Sequence, residues 1–514
     1  MAQKVQCGKR KDVAVKKTGT TGRTRVSRFV RAGLLSTLGL GVVATPAWLT
    51  PHARAAAQTG HIRQVNVTIT LAGPNQWNNS GTSFGAPWEQ LVAKFEAANP
   101  SVTLKTNVLP LTSFFQTEST LLQAGSAPEL IFNQTNYKPV QVVALNKYLM
   151  QPNPYAPGRK TWLSWFDPRG FSTRQQDPLG RWDWVPFNLV DLGLFVNETA
   201  FAKAGVKTPI ATWEDWRAAV KKLKAAGYTP LAMDGSYLGI DWTFGTVANM
   251  LLAKNVKAWN VYLANGAHGQ NNQLTIEDYV RVLKTGTDIA HLPEMAEALT
   301  LTKEVFDTAV TKNWSGIKGL SGTGVNLQDF IAGKAAMAWG VDFGASAIVS
   351  AHPSFKVGSM GWPTITKATT PLSTNFPAQF GVTPGGTSYM IPATTTGEKL
   401  TYAIRFMQFV TAPRYNAPWS AATTATPSVQ GVAAPASISA FSSGNWGVPQ
   451  AANPGILTSL SPQNNTEFQQ IMQGYLLGST GLAQTQSLLE ASWQRAAAYQ
   501  LQQNPQWKSE SWAK

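Results

Sequence analysis

In the stretch RWDWVPFNLVDLGLFVN, residues 181–197, Trp182 and Trp184 flank Asp183 just ahead of Pro186. An indole face beside a carboxylate suits a polar ring molecule, whose C–H face packs on the indole while its hydroxyls donate to the acid. Related pairings return as Trp77-Asn78 in GPNQWNNSG, Asp241-Trp242 in GIDWTFG and Asp342-Phe343 in AAMAWGVDFGAS. Of the 19 tryptophans, 18 lie beyond residue 57, so the aromatic signal belongs to the body of the chain. Trp88, Trp213 and Trp216 sit at helix starts on apolar stripes and read as packing residues. Trp77, Trp182, Trp184 and Trp242 fall in loops beside polar side chains, where binding competes with simple loop packing. Along an extended segment, alternation sends Trp182 and Trp184 to one side and Asp183 to the other. The two rings and that acid are therefore not expected to act on one ring unit, and Trp184 is expected to be the closer contact.

Other chemistries find less support. GTSFG at 81–85 has the spacing of a hydrolase nucleophile elbow, yet the strand that should end directly before it ends about ten residues earlier. The five histidines, at 52, 61, 268, 291 and 352, show no spacing that places two ligands on one helix face, so no metal site is expected. Neither a glycine-rich phosphate loop nor a cofactor motif occurs. Paired carboxylates acting on a glycosidic bond stay open, because their pairing is spatial; Asp183, Asp241 and Asp342 are the candidates.

The net charge of +16 is concentrated at the start of the chain. Residues 1–57 hold 11 Lys or Arg and one Asp, leaving 32 basic and 26 acidic side chains beyond them. No long basic run survives past residue 57, so nucleic acid is not an expected partner. The basic segment ends at Arg31, and AGLLSTLGLGVVATPAWL and the small residues of ARAAA follow. That order reads as an export leader cut between Ala55 and Gln58, with an uncleaved anchor as the alternative. SRFVR only faintly resembles a twin-arginine signal, so the general secretory route is favoured. Cys7, the single cysteine, precedes the apolar run, so the exported portion has no disulfide and no thiolate ligand.

The elements that would position these residues follow from periodicity. VNVTITLA alternates as a strand, PWEQLVAKFEAANP buries Trp88, Leu91, Val92 and Phe95 as a helix, and VTLKTNVLP, TSFFQTESTLLQAG and ELIFN continue as strand, helix and strand. Such an order implies a parallel sheet with right-handed crossovers. Ligands on open sheets bind beyond the strands' carboxyl ends, which places GPNQWNNSG and NQTNY, with Gln134, at a candidate site. A second unit of the same kind is expected from DLGLFVN, the helix TWEDWRAAVKKLKAAG with a Thr212–Asp215 capping box, and the strand TPLAM. That strand should deliver the loop DGSYLGIDW ahead of a helix beginning at TFGTVANMLL. NVYLANGAHGQNNQLT reads as a surface insertion, AAMAWG and SYMIP as strands, and EKLTYAIRFMQFVT as a helix.

Taken in order, KFEAANPSVTLKT, GSAPELIF, VPFNLVDLGLFVNETAFAKAG with TWEDW, AGKAAMAWGVDFGAS, GGTSYMIP with EKLTYAIRFMQFVTAPR, and TPSVQGV resemble the family 1 extracellular solute-binding proteins, the carbohydrate-binding subunits of ABC importers. The resemblance extends over most of residues 62–432. It implies a two-lobed α/β fold, periplasmic-binding-protein-like of type II, whose lobes are joined by crossing hinge strands. It puts one lobe at 62–187 plus 388–425 and the other at 190–385 plus 426–514, after a leader at 1–57. VPFNLVDLGLFVN, SYMIP and the region near TPSVQ become the crossings. The implied role is non-catalytic: an exported, monomeric protein, periplasmic or at the cell surface, that holds a small carbohydrate and passes it to ABC permease subunits. Ligand contacts are then expected at Trp77, Asn78, Gln134, Trp182, Asp183, Trp184, Asp241, Trp242, Asp342, Phe343 and Gly386. The sequence departs from the family in two places. It lacks the lipid-anchored cysteine of many relatives, and it carries Asp342-Phe343 where the family often has a stacking tryptophan. An exported carbohydrate-active enzyme, or the same fold holding a peptide or polyamine, are the competing functions.

Overall fold

A computed structural model describes residues 66–514 apart from 76, 78–79, 111–112, 136, 169, 178, 261–273, 318–326, 379–386 and 442–451. The leader, Asn78, Gly386 and nearly all of the Asn-rich insertion lie outside the described residues. The first sheet holds β1 (Val67–Pro74), β2 (Val102–Leu109), β3 (Leu130–Phe132), β4 (Trp184–Pro186) and β10 (Ser388–Met390), in the order β2-β1-β3-β10-β4. β1 runs parallel to β2 and β3, as two helical crossovers require, and β10 is antiparallel to both β3 and β4. The crossover helices are Ala86–Ala98, which buries Trp88, Leu91, Val92 and Phe95 behind a first-turn proline, and Phe114–Gln123.

The second sheet holds β6 (Leu192–Asn197), β7 (Thr229–Ala232), β8 (Ala335–Val341) and β9 (Val357–Met360), in the order β7-β8-β6-β9. Here the expectation of a second unit like the first needs correction. β8 inserts between β6 and β7, parallel to β7 and antiparallel to β6, so the sheet is mixed. Two helices, Glu198–Ala204 and Trp213–Ala225, separate β6 from β7, so this connection is not the single-helix crossover that places parallel strands side by side.

Both faces of this sheet are covered, which is why β6 and β8 are buried from end to end instead of alternating. Leu194, Val196, Met337 and Trp339 join the main core, while Phe195 and Ala338 face a smaller cluster with Phe330, Ile348 and Phe441. Close packing there depends on two glycines. A Cβ at Gly193 would stand 2.2 Å from the Phe441 ring, and one at Gly340 would stand 2.6 Å from the Phe195 ring.

The chain passes between the sheets three times. Residues 187–191 lead from β4 to β6, the stretch after β9 returns to β10, and β11 (Thr426–Pro427) leads away again after the helices Gly397–Val410 and Pro413–Thr423. β11 pairs antiparallel with β5 (Asn188–Leu189) in the first crossing, so two of the three crossings form one ladder. The helices before β11 pack on β1 and on Ala86–Ala98. Those after it, Pro462–Leu476 and Leu482–Gln503, pack on Pro293–Thr308, and the latter also on Ile276–Lys284.

Candidate functional site

Register decides which residues stand at the sheets' working ends. In the first sheet Pro186 lies opposite Ser388, and the Asn133 amide after β3 donates to the Ser388 carbonyl at 3.0 Å. The carboxyl ends of β1, β3 and β4 therefore share one edge, and the residue that leaves the sheet there is Phe187. Trp184 lies opposite Met390, inside the sheet, so the Trp182–Trp184 stretch enters the sheet before the crossing begins rather than beyond the edge. The three side chains are nonetheless divided as alternation requires. The Trp182 indole N–H donates to the Ser172 carbonyl at 3.0 Å, and the Trp184 ring lies 5.3 Å from that of Phe171, so both face the 171–172 segment. Asp183 faces the other way, where Oδ1 accepts from Arg181 Nη2 at 2.8 Å and from Nε at 3.2 Å. Arg181 is fixed in turn by the Pro139 carbonyl at 2.8 Å.

All three residues are largely covered: Trp182 is 5%, Asp183 3% and Trp184 8% exposed. Burial pushes the Asp183 carboxyl up to about 6, against the pull of the Arg181 guanidinium. Trp77 stacks on Trp88 at 5.8 Å and meets Phe84 and Trp419 edge-on, held in its loop by Asn75, whose amide group donates to the Ser80 and Ser83 carbonyls. Gln134, just past β3, is exposed.

At the second sheet β7 and β8 run parallel toward one edge, β7 ending at Ala232 opposite Ala338 and β8 running on to Val341, which lies opposite Leu192, the first residue of β6. The incoming first crossing, the helix after β7 and the turn after β8 thus meet at one edge. Tyr237–Leu252 begins earlier than periodicity suggests, because the Ser236 side chain caps it by accepting the Gly239 amide N–H at 3.2 Å. Trp242 consequently stands in the helix's second turn, half-buried, with its ring 6.3 Å from that of Trp339; Asp241 beside it is buried. Asp342 is fully buried and Phe343 nearly so. The Asp342 amide donates to the Asp191 carbonyl at 3.0 Å, and its Oδ2 accepts from the Thr426 amide at 2.7 Å.

Sequence reasoning passed over the aromatic packing around the crossings. Phe187 stacks on Tyr389 at 4.9 Å and packs on Trp88 and Phe406. The signal was one aromatic in each of the segments VPFNLV and SYMIP. It also passed over Glu118, whose Oε1 accepts from the Phe132 amide at 3.1 Å and whose carboxyl burial pushes up to about 9, leaving it neutral near pH 7. Nothing in TSFFQTESTLL marks that glutamate as buried. Among the described residues no group of three His, Cys, Asp or Glu side chains is placed to hold a metal ion, and no helix is long and apolar enough to cross a membrane.

The sequence description of the bacterial extracellular solute-binding proteins matches residues 78–417. A putative binding protein of Brucella abortus (strain 2308) is 25% identical over 287 residues, covering 54% of this chain and 60% of the relative. The multiple sugar-binding protein of Streptococcus mutans is 27% identical over 182 residues, 35% of this chain and 38% of that one. The chain thus spans about three fifths, or less, of the length of these curated relatives. Among solved structures, a chitin oligosaccharide binding protein superposes with a TM-score of 0.61 at 20% identity, covering 84% of this chain and 99% of the other. RafE of Streptococcus pneumoniae in its apo form gives 0.59 at 17% identity, covering 84% and 98%. These likenesses establish a two-lobed α/β fold of the type II binding-protein kind.

Proposed function

The chain belongs to the bacterial extracellular solute-binding protein family, and from that membership we propose that it captures a sugar or oligosaccharide between its two lobes and hands it to the permease of an ABC importer. The lobes are proposed as 62–187 with 388–425 and 190–385 with 426–514, a division that follows the two sheets and the helices packed on each. The observation that carries the sugar reading is the half-buried Trp242 side chain on the helix after β7, at the edge where the first crossing enters the second sheet. A partly exposed indole is a surface on which the C–H face of a sugar ring can pack. Phe343 at the same edge and Trp77 at the other sheet's end are as covered as Trp184 and back the site, while Gln134, just past β3, is exposed. Trp182, Asp183 and Trp184 form the wall behind the first crossing. The protein works exported and as a monomer, without turning its ligand over.

The ligand class follows the kinds of molecule bound by proteins of this fold, which include raffinose, stachyose and chitin oligosaccharides. A thermal-shift screen of those three with galactose, a peptide mixture and spermidine, followed by calorimetry on any hit, tests the reading. Stabilisation by one of the sugars and not by the peptides or the polyamine is expected. A response to spermidine or peptide alone overturns it, and release of shorter sugars on incubation would make the protein an enzyme instead.

A further inference from the structure

The turn after β8 brings one buried acid within reach of two chain crossings. No part of Asp342 is exposed to solvent. Its amide donates to the Asp191 carbonyl of the first crossing at 3.0 Å. Its own carbonyl accepts from the Thr424 hydroxyl at 3.3 Å, and its Oδ2 accepts from the Thr426 amide of β11 at 2.7 Å. β11 is paired with β5, so the residue that follows β8 holds one strand of the crossing ladder at Thr426 and the first crossing at Asp191, two residues past the other strand. Burying a carboxylate costs free energy, and a short N–H bond to it is among the stronger contacts a backbone amide can make. The acid is thus committed to the crossings and turned away from solvent.

We propose that Asp342 is a positioning residue: by holding the Thr426 amide it sets the stance of the third crossing against the second sheet, and through that crossing the angle between the lobes. The proposal rests on the two-lobed fold and on no particular solute. Burial pushes the Asp342 carboxyl up to about 7, against hydrogen bonds from Thr426, Phe343 and Asp191. The grip on Thr426 therefore weakens as the acid takes up a proton below neutral pH. Thr424 and Thr426 face it as uncharged partners, and Asp191 is the titratable residue beside it.

The test is amide hydrogen exchange at Thr426 with small-angle scattering, both on the unliganded protein. Asp342→Ala should speed exchange at Thr426 by ~10-fold or more while the amides of β1 keep their protection. It should also change the radius of gyration, and Asp342→Asn, a neutral acceptor like the protonated acid, should fall between wild type and the alanine variant in both. If Asp342→Ala does not fold, the wild-type protein carries the test. Corrected for intrinsic exchange, protection at Thr426 should then fall between about pH 8.5 and about pH 5.5 while β1 stays level. Thr426 exchange that tracks β1 throughout, an unchanged radius of gyration in Asp342→Ala, or an Asp342→Asn as loose as the alanine variant overturns the proposal. A protein that passes these tests yet binds no sugar refutes the functional reading and leaves this one standing.

Discussion

Two regions of this chain place acids and aromatic residues side by side in sequence, the Trp182–Trp184 stretch and the second sheet's edge with Asp241-Trp242 and Asp342-Phe343, and they are built in opposite ways. At Trp182–Trp184 the partners are local: Arg181 takes the acid, the Ser172 carbonyl takes one indole N–H and the Phe171 ring covers the other tryptophan. Past the end of β8 the partner of Asp342 lies 84 residues away in another crossing, and Trp242, on the helix after β7, is half-buried. A loop tryptophan next to an aspartate is therefore not by itself a binding surface. What separates a wall from a platform is whether the surrounding chain has already covered the ring.

The sharpest way to break this contrast is to truncate one ring on each side. Trp184→Ala should cost ~3–5 kcal/mol of stability, the range for removing a buried tryptophan, and lower the melting temperature in calorimetry. Any ligand affinity left in the folded fraction should be near wild type; a clear loss of affinity with little loss of stability would make Trp184 a platform after all. Trp242→Ala should do the reverse, weakening sugar binding by ~1–3 kcal/mol in titration calorimetry with little change in melting temperature.

The smallest effect concerns Asp183. Its folded carboxyl is raised to about 6, above the ordinary aspartate value of 3.8, so the folded state holds a proton that the unfolded chain has released between those values. Stability from this group is then highest at the acid side of the window and falls as pH rises to about 6, by no more than ~1.4 kcal/mol per pH unit. Glu118, raised to about 9, adds a slope of the same sign over a wider range. The measurement is accordingly the difference in denaturant midpoint between wild type and Asp183→Asn from pH 4 to 7. A difference that does not vary over this range would mean that Asp183 is ionised throughout and belongs to an open, solvated site.

Much of the positioning frame was legible in the sequence, because it rests on local rules. The alternation of β1, the apolar stripe under Trp88 and the Thr212–Asp215 capping box, in which the threonine side chain accepts the aspartate amide at 3.2 Å, all appear as periodicity and capping require. The same alternation that parted Asp183 from the two rings also puts Arg181 on its side, so that ion pair could have been read from the sequence. The start of the helix at Tyr237 was obscured by the glycines of DGSYLG, which resemble a loop until Ser236 is recognised as a cap. Pairing order in the second sheet was not legible, since periodicity shows which face of a strand is buried and says nothing about its neighbours. For the same reason the hold of Asp342 on Thr426 had no local trace.

The glycines of the second sheet give the molecule a recognisable mutational signature. Phe195 lies where a side chain at 340 would begin, and Phe441 where one at 193 would begin. In a saturation library scored for folded protein, rows 193 and 340 should therefore be almost blank, alanine included. Gly81 and Gly245, where an added Cβ would meet nothing within 4 Å, should accept alanine freely. Blankness at the first two positions would be a record of ring packing, and would say nothing about the ligand.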